Sequence, residues 1–155
     1  MAKIAPELQL TEPEIDQLLS TESRCRIATV GPGDALNLTP MTFGWAGGQV
    51  YLFARGQKVA NLRYQATATV LIDVGEQWRE LQGVMLQGQA RVLEDQAAEL
   101  ADPHLAQAQL NLGKKHGLGK AGTVEPYRAT AAGNSRRWVV FVPDKIISWD
   151  NQKLP

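Results

Sequence analysis

The sequence predicts a mainly β, antiparallel domain with a few peripheral helices, and three features point there. Runs of alternating or β-branched residues, separated by glycine-rich turns, follow one another at CRIATV, at Ala35 to Trp45 and at Val50 to Ala54. The longest run, ELQGVMLQGQARVL, holds two glycines, Gly83 and Gly88, of the kind that mark bends or close backbone approaches, as at the corners of a barrel. Two further strand-like runs, RRWVVFV and KIISWD, separated by Pro143-Asp144, close the chain. Six or seven strands and two or three helices are expected.

A length of 155 residues fits one domain, with enough chain to bury a core without disulfide staples. Sixteen basic residues balance 16 acidic ones, so no net field draws the protein to nucleic acid or to a membrane. Cys25 is the single cysteine and lies in an apolar run, where a buried structural thiol is expected. The start, MAKIAPELQL, lacks the apolar core and cleavage site of a signal peptide, and no apolar run reaches membrane-spanning length. A soluble, cytoplasmic protein is the expectation.

Taken in order, the elements have local reasons. Thr11 and Glu14 have capping-box spacing, Pro13 suits a first turn, and Leu10 is placed to staple against Ile15. A helix over about residues 12–19 follows, with Ile15, Leu18 and Leu19 inward. CRIATV ends at the breakers Gly31 to Asp34. In the next run Leu36 and Leu38 alternate with Asn37 and Thr39 until Pro40, which belongs at a sheet edge or a bulge. Ala46-Gly47-Gly48 then turns the chain into the Val50 strand, and the three strands read as a meander.

The stretch from Val50 to Asp73 changes period. A strand gives way to the polar loop Arg55-Gly56-Gln57-Lys58, then to Val59 and Leu62 at helical spacing, then to a strand from Thr67. Two fixed positive charges, a glycine and the N–H groups of a helix start suit an anion such as a phosphate. Between about residues 94 and 136 an insertion interrupts the barrel strands of about 25–93 and 137–149. Leu100, Leu105, Ala108 and Leu112 recur there at helical intervals, with Pro103 dividing them, and Gly113 to Ser135 reads as a mobile loop.

Several residues have plainer readings. His104 and His116 lack metal-ligand spacing and are expected to be exposed, so no metal site is assigned. Lys114, Lys115 and Lys120 form the kind of basic cluster that usually marks a solvated face. Trp78, Trp138 and Trp149 read as core or interface aromatics. No Ser-His-Asp or Cys-His arrangement is evident.

With these elements placed, four stretches in order resemble a known family: CRIATVGPGDALNLTPMTFGW, VYLFARGQKVANLRYQATATVLID, ELQGVMLQGQARVL and RRWVVFVPDKIISWDNQKL. The chain is similar to the pyridoxamine 5′-phosphate oxidase-like, FMN-binding split-barrel proteins, a group that also includes enzymes using the deazaflavin F420. The resemblance implies a six-stranded antiparallel Greek-key split barrel working as a homodimer, with two equivalent flavin sites at the subunit interface. It implies that Lys58 binds the cofactor phosphate, with Arg55 or Gln57 as its neighbour. It places a Thr39-Pro40-Met41 bulge beside the isoalloxazine ring, with Phe53 and Ala54 also lining it. Gln82 or Gly83 would come from the partner subunit, and Trp149 would cap the site.

Two departures limit the likeness. The family's oxidases put an arginine directly before the phosphate lysine, where this chain has Gln57. Their C-terminal segment that reads the pyridoxal phosphate group has no counterpart after Trp149, so the fold and cofactor class carry over and the substrate does not. The implied function is an FMN-binding oxidoreductase passing hydride or electrons through the flavin to or from a small organic substrate, with no side chain required as nucleophile and no catalytic residue named. The alternative on the same fold is an F420-dependent reductase, whose longer anionic tail would need a basic groove from Lys58 toward Arg63 or Lys114. A flavin-binding carrier or sensor, or a regulatory dimer without cofactor, would keep the fold and lose the turnover.

Overall fold

A computed structural model describes residues 3–117 and 135–155. Helix α1 (Glu12–Thr21) begins on the expected capping box: Thr11 Oγ1 accepts from the Glu14 N–H at 3.4 Å, and Glu14 Oε2 accepts from the Thr11 N–H at 2.7 Å. The remaining elements are β1 (Arg24–Val30), β2 (Leu36–Thr42), β3 (Gly44–Ala46), β4 (Gln49–Ala54), α2 (Gln57–Tyr64), β5 (Thr67–Val74), β6 (Gln82–Leu93), α3 (Gln96–Ala101), α4 (Leu105–His116) and β7 (Arg137–Asp150). Among the described residues the strands form one antiparallel sheet of seven, in the order β2-β1-β5-β6-β7-β4-β3. No described helix is long and apolar enough to cross a membrane.

That order corrects the expected meander, and the count of seven lies within the six or seven strands expected from the sequence and exceeds the six that the resemblance implies. The run from Ala35 to Trp45 divides at Phe43 into β2 and β3, and these stand at opposite edges of the sheet. In a flat sheet seven strands wide the two edges would be about 29 Å apart. One intervening residue bridges no more than about 7 Å. The sheet therefore has to curl until its edges nearly meet, which produces a half-barrel.

The two closing runs also differ from expectation, since they form the single strand β7. Pro143-Asp144 is absorbed at a register shift: Gln87 faces Lys145 while Gly88 faces Pro143, leaving Asp144 unopposed. Gly88 is required there, because a Cβ on it would lie 2.1 Å from the Val142 carbonyl oxygen. This bulge lets one long strand turn a barrel corner.

Two cores result. Inside the curl, Ile27, Phe43, Val50, Leu52, Val70, Ile72, Leu86 and Phe141 pack with Leu19 of α1 and with Val59 and Leu62 of α2. On the opposite face of β4 and β7, Tyr51, Phe53, Trp138 and Val140 pack against Leu105, Ala108 and Leu112 of α4. Both faces of β4 are thus buried. Leu100, expected with the helical face, is instead 79% exposed. Helix α4 continues to His116, so the first residues of the expected mobile loop are helical, and the rest of that expectation, residues 118–134, lies outside the described residues.

Candidate functional site

The split of the barrel lies between β2 and β4. Strands β3 and β4 pair from Gly44↔Tyr51 to Ala46↔Gln49. Continued past Phe43, that register would set Thr42 opposite Phe53 and Met41 opposite Ala54. Instead β2 turns away to pair with β1, from Arg24↔Thr42 to Val30↔Leu36, although it still lies alongside β4. Leu52 to Ala54 therefore have a ladder partner only on the β7 side, and β2 has one only on the β1 side, among the described residues. Two open backbone edges border the cleft.

Thr39, Pro40 and Met41 sit on this β2 edge. The register with β1 runs through them without interruption, Ile27↔Thr39, Arg26↔Pro40 and Cys25↔Met41, so the expected bulge is absent and Pro40 is an ordinary edge-strand proline. Pro40 faces outward and is exposed, while Met41 packs against the inner core. The Thr39 hydroxyl oxygen is buried without a hydrogen-bond partner among the described residues. A buried hydroxyl of this kind has unused capacity for a ligand.

Phe53 and Ala54 end β4 on the other side. Their side chains enter the two cores: Ala54 is 2% exposed within the curl, and the Phe53 ring lies 4.9 Å from that of Trp138. What they offer the cleft is backbone. The chain then leaves the strand at Arg55 and starts α2 through Gly56, whose φ of 76° suits glycine and around which a Cβ would meet nothing within 4 Å. Arg55 and Gln57 are exposed and Lys58 is half-buried. Neither Arg55 nor Lys58 has an ion-pair or hydrogen-bond partner among the described residues. The first N–H groups of α2 have no intrahelical acceptor. Two cations and free donors thus meet at one open turn.

This turn is anchored from beneath. Asn61, one turn into α2 and 1% exposed, accepts from Gln57 Nε2 at 2.7 Å and donates to Thr29 Oγ1 of β1 at 3.0 Å. Gln57, in the place where a second cation was expected, therefore ties the helix start to the sheet. Sequence reasoning also passed over Arg136 and Arg137. Arg137 faces Ala54 across the β4–β7 ladder, and the Arg136 guanidinium lies 5.5 Å from the Phe53 ring centre, so both add positive charge at the same end of β4. The paired arginines opening RRWVVFV were the available signal.

Gln82, Gly83 and Trp149 lie elsewhere. Gln82 donates to Asp150 Oδ2 at 2.9 Å, and the Trp149 indole covers Gly83 so closely that a Cβ there would be 2.1 Å from it. Gln82 is separated by roughly 23 Å of β6 from Gln89, which faces Thr67 just after α2. One chain does not bring these residues to the Lys58 turn.

The other titratable groups are structural. Burial pushes the Cys25 thiol up to about 12, so it is an inert core residue. The buried Asp102 carboxylate accepts from Tyr51 OH at 2.7 Å, from Arg91 at 2.6 Å and from the His104 N–H at 3.0 Å, pinning the α3–α4 junction to the sheet. The histidines are half-buried, not exposed: the His104 ring packs against Gly47, and His116 Nε2 lies 3.2 Å from the Ser23 carbonyl. Lys115 is not solvated either, since it donates to the carbonyls of Leu19 at 2.7 Å and Phe43 at 3.2 Å and sits over the Phe43 ring. Among the described residues, no three His, Cys, Asp or Glu side chains are grouped to hold a metal.

Comparison with known proteins places this architecture. Residues 11–150 match the family model described as pyridoxamine 5′-phosphate oxidase. No curated protein matches the chain by sequence. Solved structures do share its fold. A conserved hypothetical protein of Mycobacterium tuberculosis is 24% identical with a TM-score of 0.81, the match covering 99% of this chain and 92% of that one. An FAD-binding protein of Mesorhizobium loti is 18% identical with a TM-score of 0.64, covering 90% and 94%. A protein described as an F420 reductase is 15% identical with a TM-score of 0.60, covering 85% and 94%. At these identities the likeness is one of fold.

Proposed function

The chain belongs to the pyridoxamine 5′-phosphate oxidase-like split-barrel family, and on that premise we propose that it is an FMN-binding oxidoreductase acting on a small organic molecule. The observation that carries the reading is the turn at the split: Arg55 and Lys58, both without an ionic partner among the described residues, flank an open glycine at a helix start. Such a turn fits a phosphate monoester. The unpartnered Thr39 hydroxyl and the open edges of β2 and β4 fit a flat, polar-edged ring beside it. When bound, the flavin supplies hydride or single-electron transfer. The chain's own residues bind the phosphate, orient the ring and exclude water, with Asn61 and Gln57 holding the turn in place.

A homodimer belongs to the same proposal. Leu36 and Leu38 are 80% and 66% exposed on the outer face of β2, and the register sets Val30 and Ala28 beside them. A second copy covering this face would supply Gln82, Gly83 and Trp149 to the split that a single chain leaves without them. One observation favours F420 as a second reading: Arg137 opposite Ala54 and Arg136 beside the Phe53 ring add positive charge at the end of β4 that leads into the Arg55 turn, as a more anionic tail would need.

The visible spectrum and mass of the molecule that co-purifies separate these readings. A flavin spectrum supports FMN, a deazaflavin spectrum supports F420, and a protein that takes up neither overturns both. Lys58→Ala is expected to weaken FMN binding on the order of tenfold, the size of one lost charge-assisted contact. Unchanged affinity removes Lys58 from the phosphate site. Substrate-dependent reoxidation of the anaerobically reduced protein then distinguishes an enzyme from a carrier.

A further inference from the structure

The vertex of the split is held by α4, from the edge opposite the cleft. The run from Leu36 to Ala46 changes partner at Phe43, which belongs to neither ladder: pairing with β1 ends at Arg24↔Thr42, and pairing with β4 begins at Gly44↔Tyr51. Phe43 is fully buried, so its backbone groups need partners other than a strand. Helix α4 supplies one. Lys115 Nζ donates to the Phe43 carbonyl at 3.2 Å, and one turn earlier Asn111 Oδ1 accepts from the Trp45 N–H at 2.9 Å. A carbonyl and an N–H two residues apart point to the same edge of a strand. Asn111 and Lys115 thus continue, past the end of β1, the row of partners along that edge.

The same two side chains reach α1. Lys115 also donates to the Leu19 carbonyl at 2.7 Å, and Asn111 Nδ2 donates to the Ser20 carbonyl at 3.1 Å. Both acceptors lie in the last turn of α1, where carbonyls lack intrahelical donors. The Trp45 indole closes the bracket by donating to Asp16 Oδ1 of α1 at 2.7 Å. Contact is tight throughout, since a Cβ on Gly44 would lie 2.3 Å from the Ala108 carbonyl oxygen of α4. Methionine would fill the place of Lys115 without the cost of burying an ammonium, so the lysine contributes its bonds to two separate elements.

What this bracket opposes is closure of the split. Thr42 lies three positions before Trp45, so by the same alternation its N–H points to the other edge, into the cleft, where the extended β3–β4 register would set it against β4. We propose that Asn111 and Lys115 are positioning residues for the site at the split: by fixing Phe43 and Trp45 on the outer edge they hold β2 off β4 and keep the ligand's gap from zipping shut. The inference rests on the reading of the split as the ligand site and adds the device that keeps it open.

The test compares the full-length parent with Lys115→Met and with Asn111→Leu, each checked for an intact fold by circular dichroism. FMN affinity, followed by quenching of flavin fluorescence, should fall at least tenfold in each variant. Residue-resolved amide exchange gives a readout whose direction lost packing does not explain: the Thr42 N–H should exchange at least tenfold more slowly in the variants, as it pairs with β4. The proposal is overturned if Thr42 exchange in the folded variants is unchanged or faster. It is equally overturned if a variant with slowed exchange binds FMN undiminished. A parent that takes up no FMN counts against the flavin reading, and Thr42 exchange then decides by itself whether the bracket holds the split open.

Discussion

Lys115 shows how far a residue's surroundings can move it from its sequence reading. In a run of Gly, Lys and His it looks solvated, yet α4 carries it under α1 and against Phe43. Burial pushes its pKa from 10.5 down to about 7, with Cys25 and Glu22 nearby opposing the shift and His116 adjacent on the helix. The sign follows directly. Above about pH 10.5 the lysine is neutral folded and unfolded, and its burial carries no penalty; as pH falls toward 7 the unfolded chain takes up a proton that the folded chain resists, and stability declines. Cys25 acts at the other end, since its raised pKa leaves stability intact below about 9 and removes it as pH climbs toward 12. Between pH 7 and 9 the Lys115 effect stands alone of the two, so stability should rise with pH by up to about 1 kcal/mol per unit. Urea denaturation at pH 7, 8 and 9 checks this. Lys115→Met should flatten the slope, and an equal slope in the variant would show that Lys115 is not its source.

At the scale of elements, α2 is the part on which the candidate site depends. Its amphipathic face supplies Val59 and Leu62 to the inner core, while Asn61 fastens its first turn to β1. Asn61→Leu should destabilise the fold by about 1–3 kcal/mol, because the Thr29 hydroxyl, itself buried, would lose its partner. Equilibrium unfolding tests that, and a variant as stable as the parent would show that the polar bridge is dispensable. The α1 capping box, the bend at Gly88 and the cationic turn were legible in the sequence because each depends on residues a few positions apart. Whether Ala35 to Trp45 is one strand or two, and whether Arg137 to Asp150 is two strands or one, was not. Those outcomes depend on which distant strand supplies the hydrogen bonds: β1 captures β2, and β6 keeps pairing with β7 on both sides of the bulge at Pro143-Asp144. The turn at the split was readable from Arg55 to Lys58, whereas the anchoring role of Gln57 required knowing that Asn61 is buried.

At the scale of the whole molecule, the exposed leucines of β2 make assembly testable. Leu38→Glu places a charge at the centre of the outer face proposed to meet a second copy, and it should weaken dimerisation at least tenfold in sedimentation equilibrium. A parent protein that is monomeric at tens of micromolar, or a variant that dimerises equally, would contradict the proposed face. The strand order has a further consequence, for how the protein is made. β7 is the last of the described strands, yet it lies between β6 and β4 in the sheet. Until β7 has left the ribosome, β4 has no partner for the edge that Val139 and its neighbours will occupy, and β6 is paired on its β5 side alone. The nascent half-barrel therefore carries two sticky edges until β7 arrives. Closure is necessarily a late event, and any truncation ahead of Trp138 leaves a chain primed to pair with its neighbours.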